Sequence, residues 1–286
     1  MTTGIPTEPP PFARELLRWR HARRVSQLEL ASRAGTTQRY VSFIERGRSV
    51  PGREIVIRLA ESLGLTLRER NALLLAAGYA PAFTESALDA AALKPVREAL
   101  DSILEGHLPY PAVVAGPRGE LVAANAAFDV LTEGAAPELL QPPVNVLRLA
   151  LHPRGMASRV VNLDAWGRHI VENLRSRSLR SPDHRLDALV QELAAYVPAS
   201  EPGADYLGFA VPLRLRCPEG ELRLLTTLTS FATAVDVTLA ELHLEAFLPA
   251  DPETAGILRD RAARRGRGRR RDQRGRGQPI SGSAQM

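Results

Sequence analysis

From Phe12 onward the apolar residues recur at intervals of three and four, in short runs separated by glycine, proline and polar breaks. Phe12, Leu16 and Trp19 or Arg20 share one side of a helix over residues 12–23, because that spacing returns to the same face each turn. The next stretch, QLELASRAGTTQRYVSFIER from Gln27 to Arg46, divides into two shorter helices. Leu30, Ala34, Val41 and Ile44 fall where the two would face each other, and Ala31 is small where their backbones approach. Ser26 and Glu29 have the spacing of a capping box, in which two side chains satisfy two orphan backbone donors. Gly35 takes the sharp turn, Thr36 or Thr37 caps the second helix, and Gly47 stops it. That leaves Gln38, Arg39 and Ser42 on the outer face. A fourth helix follows Pro51-Gly52 and ends near Gly64, burying Ile55, Leu59 and Leu63. A fifth opens on Thr66-x-x-Glu69, a second capping-box spacing, and ends at Gly78, contributing Leu73, Leu74 and Ala77.

Two short helices with a dry seam inside and a polar ridge outside form a helix-turn-helix, the shape that enters a DNA major groove. The pattern then changes. Residues 79–95 are Ala-rich with a proline near each end. The expected division is an arm at 1–11, a helical domain at 12–80 (motif 27–46), a linker at 81–94, a second domain at 95–250, and a helix end with a disordered tail at 251–286. The second domain begins with a helix at 96–105. Strand, turn at Gly116 to Gly119, strand, and a helix capped by Asn125 follow. A helical block over 142–197 contains helices at 163–176 and 184–196. Strands at 208–216, 221–230 and 237–248 close it, with Gly220 in a turn. The fold class is α followed by α+β: five helices, then a five-stranded antiparallel sheet carrying helices, then an Arg/Gly-rich tail.

Residues 12–78 resemble the phage repressor/Cro-type helix-turn-helix of the XRE superfamily, most closely over TTQRYVSFIERG. The resemblance implies an ion pair between Arg20 and Glu45 inside the small domain. It also implies that Gln38 and Arg39 project into the major groove, where glutamine pairs with adenine and arginine with guanine. Ser42 is placed with them. Phe43, one turn on, either meets a thymine methyl or joins the core. Gln27 and Thr37 match positions that hold phosphates, contacts that set register without reading sequence. Arg46 and Arg48 are either phosphate partners or solvated surface, and Tyr40 either touches the DNA backbone or packs.

The strand and helix order of residues 95–250 is PAS-like. More specifically, PYPAVVAGPRGELVAANAAF, PPVNVLRLALHPRGMASRVVNLDAW and VDVTLAELHLEAFLPAD resemble the C-terminal ligand-binding domain of MmyB-like regulators. This implies a cavity between sheet and helices for a small apolar ligand of fatty-acyl type, with Phe128, Leu147, His152, Trp166 and Phe209 as candidate contacts. The partners implied are double-stranded DNA, a second copy of the chain and that ligand.

Charge sharpens this picture. Residues 1–83 carry 13 arginines and 7 acidic residues, and 259–276 carry 10 arginines and 2 aspartates, against 14 basic and 23 acidic residues over 84–258. Only the two ends are suited to a polyanion. The tail adds affinity for any nucleic acid by counterion release, which supports an alternative: a nonspecific nucleic-acid binder whose sheet domain is an interaction module. The single Cys217 excludes an internal disulfide framework and fits a reducing compartment. No apolar run reaches the length of a membrane span, so the expected location is the cytoplasm, with the nucleoid. Enzyme chemistry is not indicated. His152, His169 and His184 lack metal-ligand spacing, Cys217 has no thiol partner, and there is no phosphate loop or nucleophile elbow. No cofactor or metal is implied.

Overall fold

The computed structural model describes residues 10–199, 211–231 and 234–275, with backbone only for 268–275. The chain forms two compact units that are interleaved in sequence. One comprises the chain up to Leu93 together with Ser176–Pro182 and Phe231–Glu241; the other comprises Lys94–Arg175, Asp183–Ser230 and the chain from Leu242 onward.

The helical unit contains α1 (Pro11–Ala22), α2 (Gln27–Arg33), α3 (Gln38–Glu45), α4 (Arg53–Ser62) and α5 (Leu67–Ala76). Pro11 sits at the first helical position of α1, where its missing N–H is no loss. Leu16, Leu30, Val41, Val56, Leu59, Leu73 and Leu74 are fully buried in one core. The buried face of α4 is centred on Val56 and Leu59, whereas Ile55 is only half-buried. Gly35 turns the chain between α2 and α3 with φ of +61°, and Thr37 caps α3 by accepting from Tyr40 N at 3.2 Å.

The two capping-box sequences behave differently. Thr66 and Glu69 form the full reciprocal box at the start of α5. Ser26 Oγ accepts from Glu29 N at 3.1 Å, but the Glu29 carboxylate pairs with Arg33 one turn on, so α2 has half a box. An exposed arginine four residues away outcompetes the single backbone N–H.

The segment expected to be a linker is held within the helical unit. Asn71 donates to Phe83 O at 2.7 Å and accepts from Ala82 N and Phe83 N at 3.0 Å. Beyond it, Thr84 O accepts from Val237 N at 2.8 Å, and Asp236 accepts from Ser86 N at 3.1 Å. Asp236 also caps α11 (Val237–Glu241) through Thr238 N at 2.9 Å. Residues 237–241 were expected to begin a strand. The alternating pattern is real, but an aspartate directly ahead of it supplies a helix cap, and the local hydrogen bonds win.

The sheet unit has strands β1 (Ala112–Ala115), β2 (Leu121–Ala124), β3 (Leu213–Cys217), β4 (Gly220–Ser230) and β5 (His243–Pro249), in the antiparallel order β2-β1-β5-β4-β3. This is the PAS-like order. The helices are α6 (Lys94–Gly106), α7 (Asp129–Thr132), α8 (Val146–Leu151), α9 (Leu163–Arg180) and α10 (His184–Ala194). The last turn of α9 belongs to the helical unit, and this helix extends four residues past its expected end. The expected strand start at 208–210 lies outside the described residues. Asn125 caps the 3-10 turn Ala126–Phe128, as its position implied, and ties it to Leu104 O and Tyr110 O. Asn162 joins the start of α9 to β3 through Pro212 O at 2.8 Å and Arg214 N at 3.1 Å.

The C-terminal stretch is a further correction. A last helix, α12, runs from Pro252 to Gly275, although a disordered tail was expected from within it. Thr254 and Leu258 are buried in the sheet unit, with Thr254 accepting from Arg223 N at 2.9 Å. Those docked turns supply the costly nucleus, and arginine and alanine are good propagators of a helix already begun. Residues 276–286 lie outside the described residues.

Candidate nucleic-acid interface

The candidate reading surface rests on a buried ion pair. Arg20, near the end of α1, donates to Glu45, the last residue of α3, through Nε at 2.6 Å and Nη2 at 3.0 Å. Its Nη1 donates to Val25 O at 3.0 Å. Both residues are buried. The bidentate geometry and the extra carbonyl satisfy most of the guanidinium, which is what a desolvated pair requires. Gln27 completes it, donating to Glu45 Oε2 at 2.6 Å. This gives Gln27 a structural role beyond the phosphate contact expected for it.

With α3 fixed at its C-terminal end, its faces follow from the helical period. Val41 and Ile44 are buried, and Gln38 and Arg39 are exposed. Tyr40 is half-buried and packs against the core, the packing alternative for this residue. Ser42 is not on the outer face: it is buried, and Arg46 donates to its hydroxyl. Four residues from both Gln38 and Arg46, it lies on the flank between the ridge and the seam, which a two-face reading of eight residues cannot resolve. Phe43 is half-buried, with the Arg39 guanidinium 5.2 Å from its ring centroid.

The arginines of the helical unit divide into those that pair with carboxylates and those that do not. Arg20, Arg23, Arg33, Arg68 and Arg70 all pair with carboxylates. Arg39, Arg46, Arg48 and Arg53 are exposed and form no ion pair among the described residues. Arg53 was not singled out from the sequence. It opens α4 directly after Gly52, and its position just past the turn that follows the motif is the signal that marks it.

The sheet-unit candidates are placed differently. Trp166 is buried in the central apolar cluster, with Phe128 and Leu147 packed against its edge. Leu147 abuts the β1–β2 turn so closely that a Cβ on Gly119 would lie 2.7 Å from it. His152 ends α8, accepts from Arg154 N at 3.0 Å through Nδ1, and meets the Tyr196 ring edge-on at 4.9 Å. That is a turn-closing role. Phe209 lies outside the described residues. Leu151, Leu193, Leu213, Leu215, Leu222 and Leu224 fill the space between helices and sheet. An open cleft of about 260 Å³ lies beside α12, lined by Asp129, Glu133, Pro218, Glu219, Arg261, Arg264 and Arg265. Its walls are ion pairs, so it offers little to an apolar molecule. Arg261 bridges Glu133 and Glu219, Arg264 pairs with Glu219 at 2.6 Å, and Arg265 pairs with Asp129 at 2.7 Å. Hydrogen bonds from Arg261 hold the Glu219 carboxyl below the usual carboxylate range, and those from Arg148 do the same for Glu192. Burial pulls the Arg159 guanidinium down and pushes the Cys217 thiol up.

Comparison with known proteins bears on both units. Residues 96–260 match the family described as MmyB-like transcription regulator ligand binding domain. Residues 16–70 match the family described as helix-turn-helix. No curated protein matches. Among solved structures, the restriction-modification controller protein C.AhdI from Aeromonas hydrophila is similar at 31% identity over 21% of this chain and 92% of that one, with a TM-score of 0.21. Among the described residues no helix is long and apolar enough to cross a membrane.

Proposed function

The chain belongs to the MmyB-like transcription regulators and is a DNA-binding regulator; from that premise we propose that it binds as a homodimer, reads bases with Gln38 and Arg39, and responds to a small apolar ligand of fatty-acyl type in the sheet unit. One observation carries the base-reading role. Gln38 and Arg39 stand exposed in the first turn of a helix whose opposite side is locked down by Val41 and Ile44. Glutamine offers a bidentate pair to adenine and arginine one to guanine. Arg46, Arg48 and Arg53 are suited to phosphates, which fix register without reading sequence.

A homodimer follows from the size of the motif. A single recognition helix reaches few bases, and two-fold pairing doubles them on half-sites about 34 Å apart. Ligand control requires different affinity for DNA-competent and DNA-incompetent states. The interleaved chain supports such control, because α9 and the β4–β5 connection each belong to both units covalently. The nonspecific alternative loses part of its basis, since Arg261, Arg264 and Arg265, three of the ten arginines over 259–276, are already engaged by acidic residues.

The test is selection of binding sites from random duplex DNA with the full chain, followed by Arg39→Ala. We expect a discrete site and a loss of discrimination at one base pair of about 1–3 kcal/mol. A uniform loss on every duplex would make Arg39 a phosphate contact, and no selected site would favour the nonspecific reading. Native mass spectrometry of the purified chain tests the ligand through a co-purified apolar mass.

A further inference from the structure

We propose that Phe43 is a positioning residue for Arg39: its ring is the platform that holds the guanidinium in reading position before DNA arrives. The inference rests on the base-reading role of Arg39 and adds what sets that side chain's geometry.

Three observations converge on it. Phe43 sits between Ser42 and Ile44, both buried, yet among the described residues it does not pack against the core of the helical unit. A large apolar side chain at the centre of a recognition helix, outside the core, contributes little to the fold. Second, Arg39 lies one helical turn before it, the spacing at which side chains meet, and the guanidinium carbon is 5.2 Å from the ring centroid. Third, no carboxylate among the described residues competes for Arg39, whereas the neighbouring Arg33 is drawn to Glu29 and Arg46 to Ser42.

The chemistry suits the task. A guanidinium over an aromatic face is held through its flat side, which leaves the N–H groups at its edge free for a base. An arginine otherwise gives up its rotamer freedom only on binding, and a platform removes part of that cost beforehand. A lysine would gain less, having no planar edge to present.

The experiment uses the full chain and the site selected by wild type. Arg39→Ala first identifies the base pair that Arg39 reads. Affinity is then measured by fluorescence anisotropy, at one salt concentration, for the selected duplex and its three substitutions at that pair. Phe43→Leu, which keeps apolar bulk but loses the ring face, should lower discrimination there by roughly three- to tenfold, the range of an exposed to partly desolvated cation–π contact. Phe43→Trp should restore it. Thermal stability should not follow this pattern, since the ring lies outside the core. Adding Phe43→Leu to Arg39→Ala should change nothing further at that pair.

Wild-type discrimination in Phe43→Leu would overturn the proposal, as would Phe43→Trp failing alongside it. A loss at another base pair that persists without Arg39 would make Phe43 a direct reader, of a thymine methyl. If wild type selects no discrete site, Arg39 is not a base reader and the platform falls with it. The Phe43 outcomes leave that underlying role standing, so the two failures are distinguishable.

Discussion

The two units use charge in opposite ways. In the helical unit two carboxylates, Glu45 and Glu69, are buried and tie helices together. Glu45 receives Arg20 and Gln27; Glu69 receives Arg23, the Thr66 backbone and the Ser181 hydroxyl. In the sheet unit the acid–arginine pairs sit at the rim. The side chains of Glu192 and Glu221 remain 31% and 30% exposed, while the interior cluster is apolar, mostly leucine and valine with Met156, Trp166 and Phe247. The difference follows from size. A unit of five short helices has few large apolar residues per helix, and fixing their crossing geometry falls partly to directional, buried polar contacts. A sheet with helices across it fixes strand geometry through its ladder and fills the remainder with apolar volume.

The strongest way to break this contrast is to remove one charge from each unit. Glu45→Ala leaves Arg20 buried without a counter-charge and should destabilise the helical unit by about 3–5 kcal/mol. Glu192→Ala removes an exposed, though bidentate, partner of Arg148 and should change the sheet unit by about 1 kcal/mol or less. The apolar counterpart reverses the roles. Leu224→Ala, at a fully buried position paired with Leu213 and Pro249, should cost the sheet unit about 2–5 kcal/mol. Trp19 and Trp166 lie in different units, so urea titrations of single-tryptophan variants report each unit separately. Equal effects of Glu45→Ala and Glu192→Ala would dissolve the contrast.

A finer test compares the two capping-box sequences. Glu69→Gln removes a charge that accepts from a cap N–H, an arginine and a hydroxyl, and should cost about 1–3 kcal/mol. Glu29→Gln weakens only an exposed pair one turn long and should cost about 0.5 kcal/mol or less. The sequence presents these glutamates identically. Burial separates them.

This marks where the sequence was legible and where it was not. Gly35, Thr37 and the Thr66–Glu69 box were readable because turns and caps are settled within four residues. The exposure of Gln38 and Arg39 was readable because helix period alone decides it. Arg20 with Glu45 was legible only through family resemblance, since 25 residues separate them and no local rule joins them. Three features were misjudged where local and tertiary preferences meet. Ser42 lies on the flank of α3. Residues 237–241 alternate like a strand but follow a capping Asp236. The basic stretch after Leu258 becomes helix because the sheet unit holds its first turns. In the sheet unit Trp166, Phe128 and Leu147 do come together, but in and against the packed core; the pattern marks apolar residues without separating lining from filling.

Acid titration should show the contrast again, more weakly. Hydrogen bonds from Arg148, Arg261 and Arg214 hold Glu192, Glu219 and Glu221 below their ordinary value of 4.5. A carboxyl with a depressed folded-state pKa contributes stability that is complete above the unfolded value and lost as pH falls through the folded one. The sheet unit should therefore begin to lose stability below about pH 4.5, read by Trp166 fluorescence in a Trp19→Phe background. The loss should be modest, because these pairs are solvent-screened. Stability that is level or rising as pH falls from 5 to 3 would show that the rim pairs contribute nothing.

The smallest effect on stability is expected from the end of α12, and there the contrast becomes one within a single helix. Arg261, Arg264 and Arg265 face Glu133, Glu219 and Asp129, so their charge is already neutralised. Arg267, just after Gly266, is exposed and forms no ion pair among the described residues, and five further arginines follow it in the sequence. A truncation that probes nucleic-acid affinity should therefore begin at residue 266, sparing the paired arginines and the buried Leu258. Each phosphate no longer neutralised should flatten the dependence of log affinity on log salt by about 0.9. Removing residues 266–286 should thus lower the slope measurably, leave the selected sequence unchanged, and leave unfolding of the sheet unit where it was. A truncation from residue 258 should instead destabilise that unit, because it takes out a core leucine along with the charge. An unchanged salt slope in the shorter truncation would mean that the arginines from Arg267 onward do not meet DNA, and that the polyanion-binding charge of this chain lies on and after α3.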